Sequence, residues 1–351
     1  MLNKKFSIFI LLSLSLILMV RIPSAYALDA IYIKPDGTVD PTDAPIQKNG
    51  NVYTFTDNII AALIVQKSDL TINGDNFSLK GDADNYGIFL NNVNNITIED
   101  LVIENCNVGI YFSSSDNNTV TGTTITENLD HGILLYYANN NKITESMLVY
   151  NYGIAIEIDH STNNIITQNS MINNDGNALV LYNSSENTGS ANEINDNGAN
   201  GIYLYSSSNN QLIANNISLN VDSGIYLYSD SDNNNIYHNN LFDNNEQVTI
   251  SSSGANIWDN GIPSGGNYWS DYNGQDNTGD GIGDTPYIIN QNNQDNYPLS
   301  ETFIIPEFPS GVFFALTIII MLSMFFIVKL QKKNKDHFWA HVFCCKWKYM
   351  H

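Results

Sequence analysis

The amino-acid sequence predicts an all-β fold, a right-handed parallel β-helix of single strands, exported and tied to a membrane by one C-terminal helix. A glycine-led tetrapeptide recurs about every 23 residues, and the apolar residues within each copy alternate with period two. A charge-free apolar run from Gly311 to Val328 precedes a cluster of lysines.

At the N-terminus, Lys4 and Lys5 lead into an apolar run from Phe6 to Val20. Ala25-Tyr26-Ala27 then has the small-x-small form that signal peptidase accepts, so residues 1–27 read as a signal peptide. Residues 28–255 carry the repeats. Val52 to Leu79 reads as one or two opening coils, with residues 51–55 covering the end of the stack, as a solenoid requires.

The repeat starts are Gly87-Ile88-Phe89-Leu90, Gly109-Ile110-Tyr111-Phe112, Gly132-Ile133-Leu134-Leu135, Gly153-Ile154-Ala155-Ile156, Gly201-Ile202-Tyr203-Leu204 and Gly224-Ile225-Tyr226-Leu227. Their spacings are 22, 23, 21, 48 and 23, and the long interval contains a degenerate copy, Ala178-Leu179-Val180-Leu181. Short apolar bursts separated by Asn, Ser and Gly mean strands and bends, about three of each per coil. Strands of successive coils then pair in parallel about 4.8 Å apart. Asn suits the bends because it tolerates left-handed torsions, and its amide can bond to the same amide one coil on. Ile133, Ile154 and Ile202 are expected to share one interior row.

Near Asn256 the periodicity fails. Residues 256–300, rich in Gly, Asn, Asp, Trp and Tyr, read as a C-terminal cap, and residues 301–310 as a linker. Residues 311–328 are long enough to span a bilayer. Lys329, Lys332, Lys333 and Lys335 place the tail, 329–351, in the cytoplasm and the repeats outside.

The formal net charge is -22, and no Lys or Arg occurs between Lys142 and Lys329. With no basic patch to displace counterions from phosphates, nucleic acid is excluded as a partner. Three cysteines make no disulfide framework, and Cys106 reads as a small buried hydrophobe.

The cap contains Gly266-Asn267-Tyr268-Trp269-Ser270-Asp271-Tyr272, then Asp280-Gly281-Ile282-Gly283-Asp284-Thr285-Pro286-Tyr287, then Asp295-Asn296-Tyr297-Pro298-Leu299. With the repeats, over about residues 50–300, these segments resemble the NosD-type β-helix family, often called periplasmic copper-binding proteins, and archaeal surface proteins built from the same repeats. The resemblance implies a pectin-lyase-like solenoid. Pro306-Glu307-Phe308-Pro309-Ser310 before the apolar run is similar to archaeal sorting signals of the PEF type, although this chain continues some twenty residues past the lysines. The copper implied by the family label is not expected here. The candidate donors His131, His160, His238, Met147, Met171 and Cys106 fall at different phases of the repeat.

Three sets of residues stand out as candidate sites. Asp276, Asp280 and Asp284 lie at intervals of four among glycines and offer the hard oxygen ligands that calcium takes. Superposed repeats place Tyr111, Tyr203 and Tyr226 in one outward column and Tyr136, Tyr182, Tyr205 and Tyr228 in the next. That aromatic strip suits a glycan or another envelope component. Glu157 and Asp159, two apart on one strand, are the pair from which a polysaccharide hydrolase would be built. Non-catalytic glycan binding is the expected function, with a carbohydrate-active enzyme or a passive envelope spacer as alternatives.

Overall fold

The computed structural model describes residues 26–305. Outside the described residues lie 1–25, most of the predicted signal peptide, and 306–351, with part of the predicted linker, the predicted transmembrane helix and the basic tail. Among the described residues no helix is long and apolar enough to cross a membrane.

The chain winds into about nine coils of three short strands. A front stack runs from Tyr26–Ile33 to Glu246–Ser251, a side stack from Ser78–Lys80 to Tyr268–Trp269, and a back stack from Val52–Phe55 to Asn235–Tyr237. Consecutive strands pair in parallel throughout each stack. Ile59–Val65 pairs with both Ser78–Lys80 and Tyr86–Asn91, which joins the front and side stacks into one 20-stranded sheet.

Period-two alternation sends every second side chain inward, and in-register pairing lines these up along the axis. Ile88, Ile110, Ile133, Ile156, Leu179, Ile202 and Ile225 are successive partners in one fully buried row. Burying each contributes about 2 kcal/mol relative to exposure. A one-residue slip in any coil would turn its whole apolar set outward, so the rows set the register.

The expected row is wrong at one member. Ile154 pairs with His131 and stands half-buried on the outer side, while Ile156 takes the interior place. The repeat starts there at Ala155 instead of Gly153, so the true spacing from Gly132 through Ala155, Ala178, Gly201 and Gly224 is a uniform 23. Small residues are needed at this point because adjacent coils approach closely. A Cβ on Gly132 would come 2.6 Å from the Ala155 carbonyl oxygen. Gly153 is small for a different reason, since it packs onto the backbone of Asp130 one coil earlier.

The bends also differ from expectation, because the two tasks assigned to Asn are split between adjacent residues. Left-handed torsions fall on Asn140, Asn163 and Asn209, but equally on Glu127, Tyr137, Glu145, His160 and Leu219. The residue that follows points inward and forms a ladder. Asn141 donates its backbone N–H to Asn164 Oδ1 at 2.8 Å, Asn164 donates its own to Asn187 Oδ1 at 2.8 Å, and the run continues through Asn210 and Asn234 to Asn256. A second ladder passes Asn151, Asn174, Asn197 and Asn220, and a third Asn192, Asn215, Asn239 and Asn267. Each amide supplies partners for buried backbone groups at bends where no strand neighbour exists.

Both ends are closed by antiparallel pairs. Ile46–Asn49 folds onto Val52–Phe55, burying Tyr53 and Phe55. At the other end, residues 256–300 extend the ladders before capping them. Asn293 accepts the Asn256 N–H, and Asp295 accepts the Asn267 N–H at 2.7 Å. Trp258 and Trp269 fill the end of the core, and Tyr287 stacks on Trp269 at 4.2 Å.

Candidate functional site

The front stack presents two outward columns. One carries Phe89, Tyr111, Leu134, Glu157, Val180, Tyr203 and Tyr226. The other carries Ser113, Tyr136, Asp159, Tyr182, Tyr205 and Tyr228. Tyr182 and Tyr205 stack at 4.6 Å between ring centres with 9° between planes. Tyr205–Tyr228 and Tyr203–Tyr226 are tilted pairs at 5.4 and 5.3 Å, and Tyr226–Tyr228 at 6.0 Å ties the columns together. Because these rings cover one another, they offer edges and hydroxyls more than open faces. Among the described residues the hydroxyls of Tyr182, Tyr203, Tyr205, Tyr226 and Tyr228 have no protein hydrogen-bond partner.

The strip does not run unbroken to Tyr136. The coil between Tyr136 and Tyr182 contributes Asp159, and the aromatic path crosses it through His160, 6.4 Å from Tyr136 and 6.2 Å from Tyr182. His160 also stacks on Tyr137 at 5.0 Å, and Tyr136 and Tyr137 are among the exposed tyrosines. Glu157 and Asp159 therefore sit inside the tyrosine columns rather than beside them, a consequence of the uniform 23-residue register.

Both carboxylates are held by imidazoles. His131 Nε2 lies 2.7 Å from Glu157 Oε2, and His160 Nδ1 contacts Asp159 Oδ1. His131 Nδ1 is 3.1 Å from Asp130 Oδ2, close enough for charge attraction but out of line for a hydrogen bond. Burial works against a charged His131, yet the bond to Glu157 and the charges of Glu157 and Asp130 outweigh it and raise the imidazole pKa above its usual value. Burial raises the Tyr203 hydroxyl as well.

Sequence reasoning weighed His131 and His160 only as copper donors, not as partners of this face, and passed over Tyr137. Tyr137 and His160 are 23 residues apart, each directly after a second-column residue, a signal visible once Ala155 is taken as a repeat start.

The acidic loop closes on itself. Asp276 accepts N–H groups of Gly279, Asp280 and Gly281. Asp284 accepts from Asn277 N and Nδ2, and Asp280 from Ile282 N. Among the described residues no three His, Cys, Asp or Glu side chains stand where they could share a metal ion, so Asp276, Asp280 and Asp284 are not brought together as a ligand set. Copper donors are dispersed too. His131 and His160 serve carboxylates, and His238 Nε2 contacts the Ser264 carbonyl. Cys106 is buried at the head of an Asn ladder with its thiol pushed up to about 12. Among the described residues the donors do not fit a copper centre.

The sequence profile described as "Periplasmic copper-binding protein (NosD)" matches residues 29–176 and 68–274, more than half of the chain. No protein of curated function matches significantly. Among solved structures, the periplasmic alginate epimerase AlgG is 17% identical over 66% of this chain and 81% of its own, with a TM-score of 0.46. The A-module of the Azotobacter vinelandii mannuronan C-5 epimerase AlgE6 is 13% identical over 67% and 88%, with a TM-score of 0.44. Pectate lyase Pel9A is 16% identical over 68% and 73%, with a TM-score of 0.37. Similarities this distant carry nothing about substrate or activity. From its profile match, its coils and its asparagine-laddered core, the chain belongs to the NosD family of parallel β-helix repeat proteins.

Proposed function

We propose that this chain is a non-catalytic binding protein of the cell surface, with the tyrosine-bearing front stack as its binding face and a glycan or related envelope component as its ligand. One observation carries the reading. Five phenol hydroxyls, locked in register on successive coils, have no protein partner among the described residues and are held in place by ring packing. A preformed row of donors and acceptors at a one-coil step suits a ligand rich in hydroxyls, because the protein orders nothing further on binding. In this reading the C-terminal apolar run, residues 311–328, holds the binding face at the membrane.

The enzymatic alternative draws on Glu157 and Asp159. Hydrolysis of a glycosidic bond needs one carboxyl free to hand a proton to the leaving oxygen, whereas each of these has an oxygen engaged by an imidazole. Binding without turnover is the reading the geometry supports. Its test is retention of the full-length chain, in mild detergent, on a glycan array. Tyr205→Ala with Tyr228→Ala is expected to abolish retention, and unchanged retention rejects the assignment.

A further inference from the structure

We infer that the ligand of this face is an extended, uncharged polysaccharide chain lying along the solenoid axis, about one sugar per coil, and that the face discriminates against polyanions. The inference rests on the glycan reading above and adds the ligand's charge and direction.

Direction follows from the columns. Tyr182, Tyr205 and Tyr228 are successive partners, so their hydroxyls repeat at the spacing of paired strands, about 4.8 Å. That step is close to the length of one pyranose unit in an extended chain. A glycan running along the axis meets an equivalent phenol at each sugar, whereas one running across the stack meets only the two columns.

Charge follows from what stands in the same columns. Glu157 and Asp159 occupy the coil between Tyr136 and Tyr182, with Asp130 beside His131. Glu157 Oε1 and Asp159 Oδ2 have no protein partner among the described residues and serve as acceptors for sugar hydroxyls. The basic groups beside these carboxylates are the imidazoles of His131 and His160, each already engaged with Glu157 or Asp159 and so not free to pair with an acidic sugar. The chain has no Lys or Arg between Lys142 and Lys329. Among the described lysines, Lys142 lies in the back stack, Lys34 pairs with Asp40, Lys80 with Glu104, Lys48 donates to the Gly37 carbonyl and Lys67 to the Ser68 carbonyl. A ligand carboxylate placed over Glu157 meets like charge at short range in a part-buried setting, where screening by salt is incomplete.

The test uses the full-length chain in mild detergent with two ligand series of increasing length, linear uncharged oligosaccharides and oligouronates, measured by calorimetry at low and high salt. Affinity for the uncharged series is expected to rise with each added sugar and to level off once the ligand outgrows the coils from Tyr136 to Tyr228. Oligouronates are expected to bind at least about tenfold weaker at low salt. Glu157→Gln with Asp159→Asn, and Asp159→Asn alone as the variant that spares the His131 contact, narrow that gap while leaving the β-sheet circular dichroism intact. Oligouronates binding as tightly as the uncharged series, or affinity independent of length, overturns the inference while leaving a glycan-binding face. Binding of neither series overturns the glycan reading itself.

Discussion

His131 Nε2 reaches to Glu157 Oε2 of the next coil at 2.7 Å, joining residues 26 apart in sequence into one polar centre within the tyrosine columns. His131 has a pKa raised above its ordinary 6.5, so its proton is held more tightly in the folded chain than in the unfolded one. The associated stabilisation is fully present below about pH 6.5 and is lost as pH rises through the folded value. In Glu157→Gln the burial of the imidazole dominates, and its midpoint falls below that of the parent chain. Proton NMR titration of the His131 ring checks both values, and an unmoved midpoint refutes the pairing.

Asp295 gives the opposite kind of group, an acid whose folded pKa is raised. Burial pushes it up to about 6 from 3.8, against the bonds it accepts from Asn267 N, Trp269 Nε1 and Tyr297 N. Stability linked to this group is present below about pH 4 and is lost as pH rises through 6, on the order of 3 kcal/mol in total. Asp295→Asn removes that dependence. Urea unfolding between pH 4 and 7 should show the slope in the parent chain and a flatter profile in the variant.

Removing the side chain of Asp295 has a larger cost. Asp295→Ala leaves three donors at the end of the core without an acceptor, a loss of about 2 to 4 kcal/mol. The Trp258 and Trp269 pair, 5.9 Å apart, lies beside the lesion, so tryptophan fluorescence should report the cap loosening before the coils melt.

In the middle of the ladder, Asn164 accepts from Asn141 N and Nδ2 and donates to the Ala138 carbonyl and Asn187 Oδ1. Asn164→Ala is expected to cost about 2 to 4 kcal/mol, because its neighbours stay buried and lose their partners. Asn164→Asp should be worse at neutral pH than at pH 4, since its charge would face the Asn187 amide oxygen. Melting temperatures at the two pH values separate these outcomes.

The 276–284 loop spends Asp276 and Asp284 on its own donors. Because these oxygens already accept the loop's own N–H groups, millimolar calcium is expected to leave the melting temperature unchanged. A rise of several degrees would mean that the loop rebuilds around the ion.

Much of this molecule was readable in the sequence because a coil repeats one pattern. Alternating apolar residues in Gly201-Ile202-Tyr203-Leu204 and Gly224-Ile225-Tyr226-Leu227 sufficed to place Tyr203 beside Tyr226 and Tyr205 beside Tyr228, as the pairing shows. The reading slipped at Gly153, where a glycine needed for packing against Asp130 resembled one that begins a strand, and Ala155 carried no mark of its role. Local pattern determined that the chain would coil, which side chains would turn inward, and that tyrosines would line an outer face. Where the pattern blurs, as in the coil from Ala155, only the packed stack decided which residues became neighbours between coils, since the register there is chosen by the isoleucine rows and asparagine ladders it must extend. His131 with Glu157, and His160 between Tyr136 and Tyr182, exist as contacts only after that choice is made.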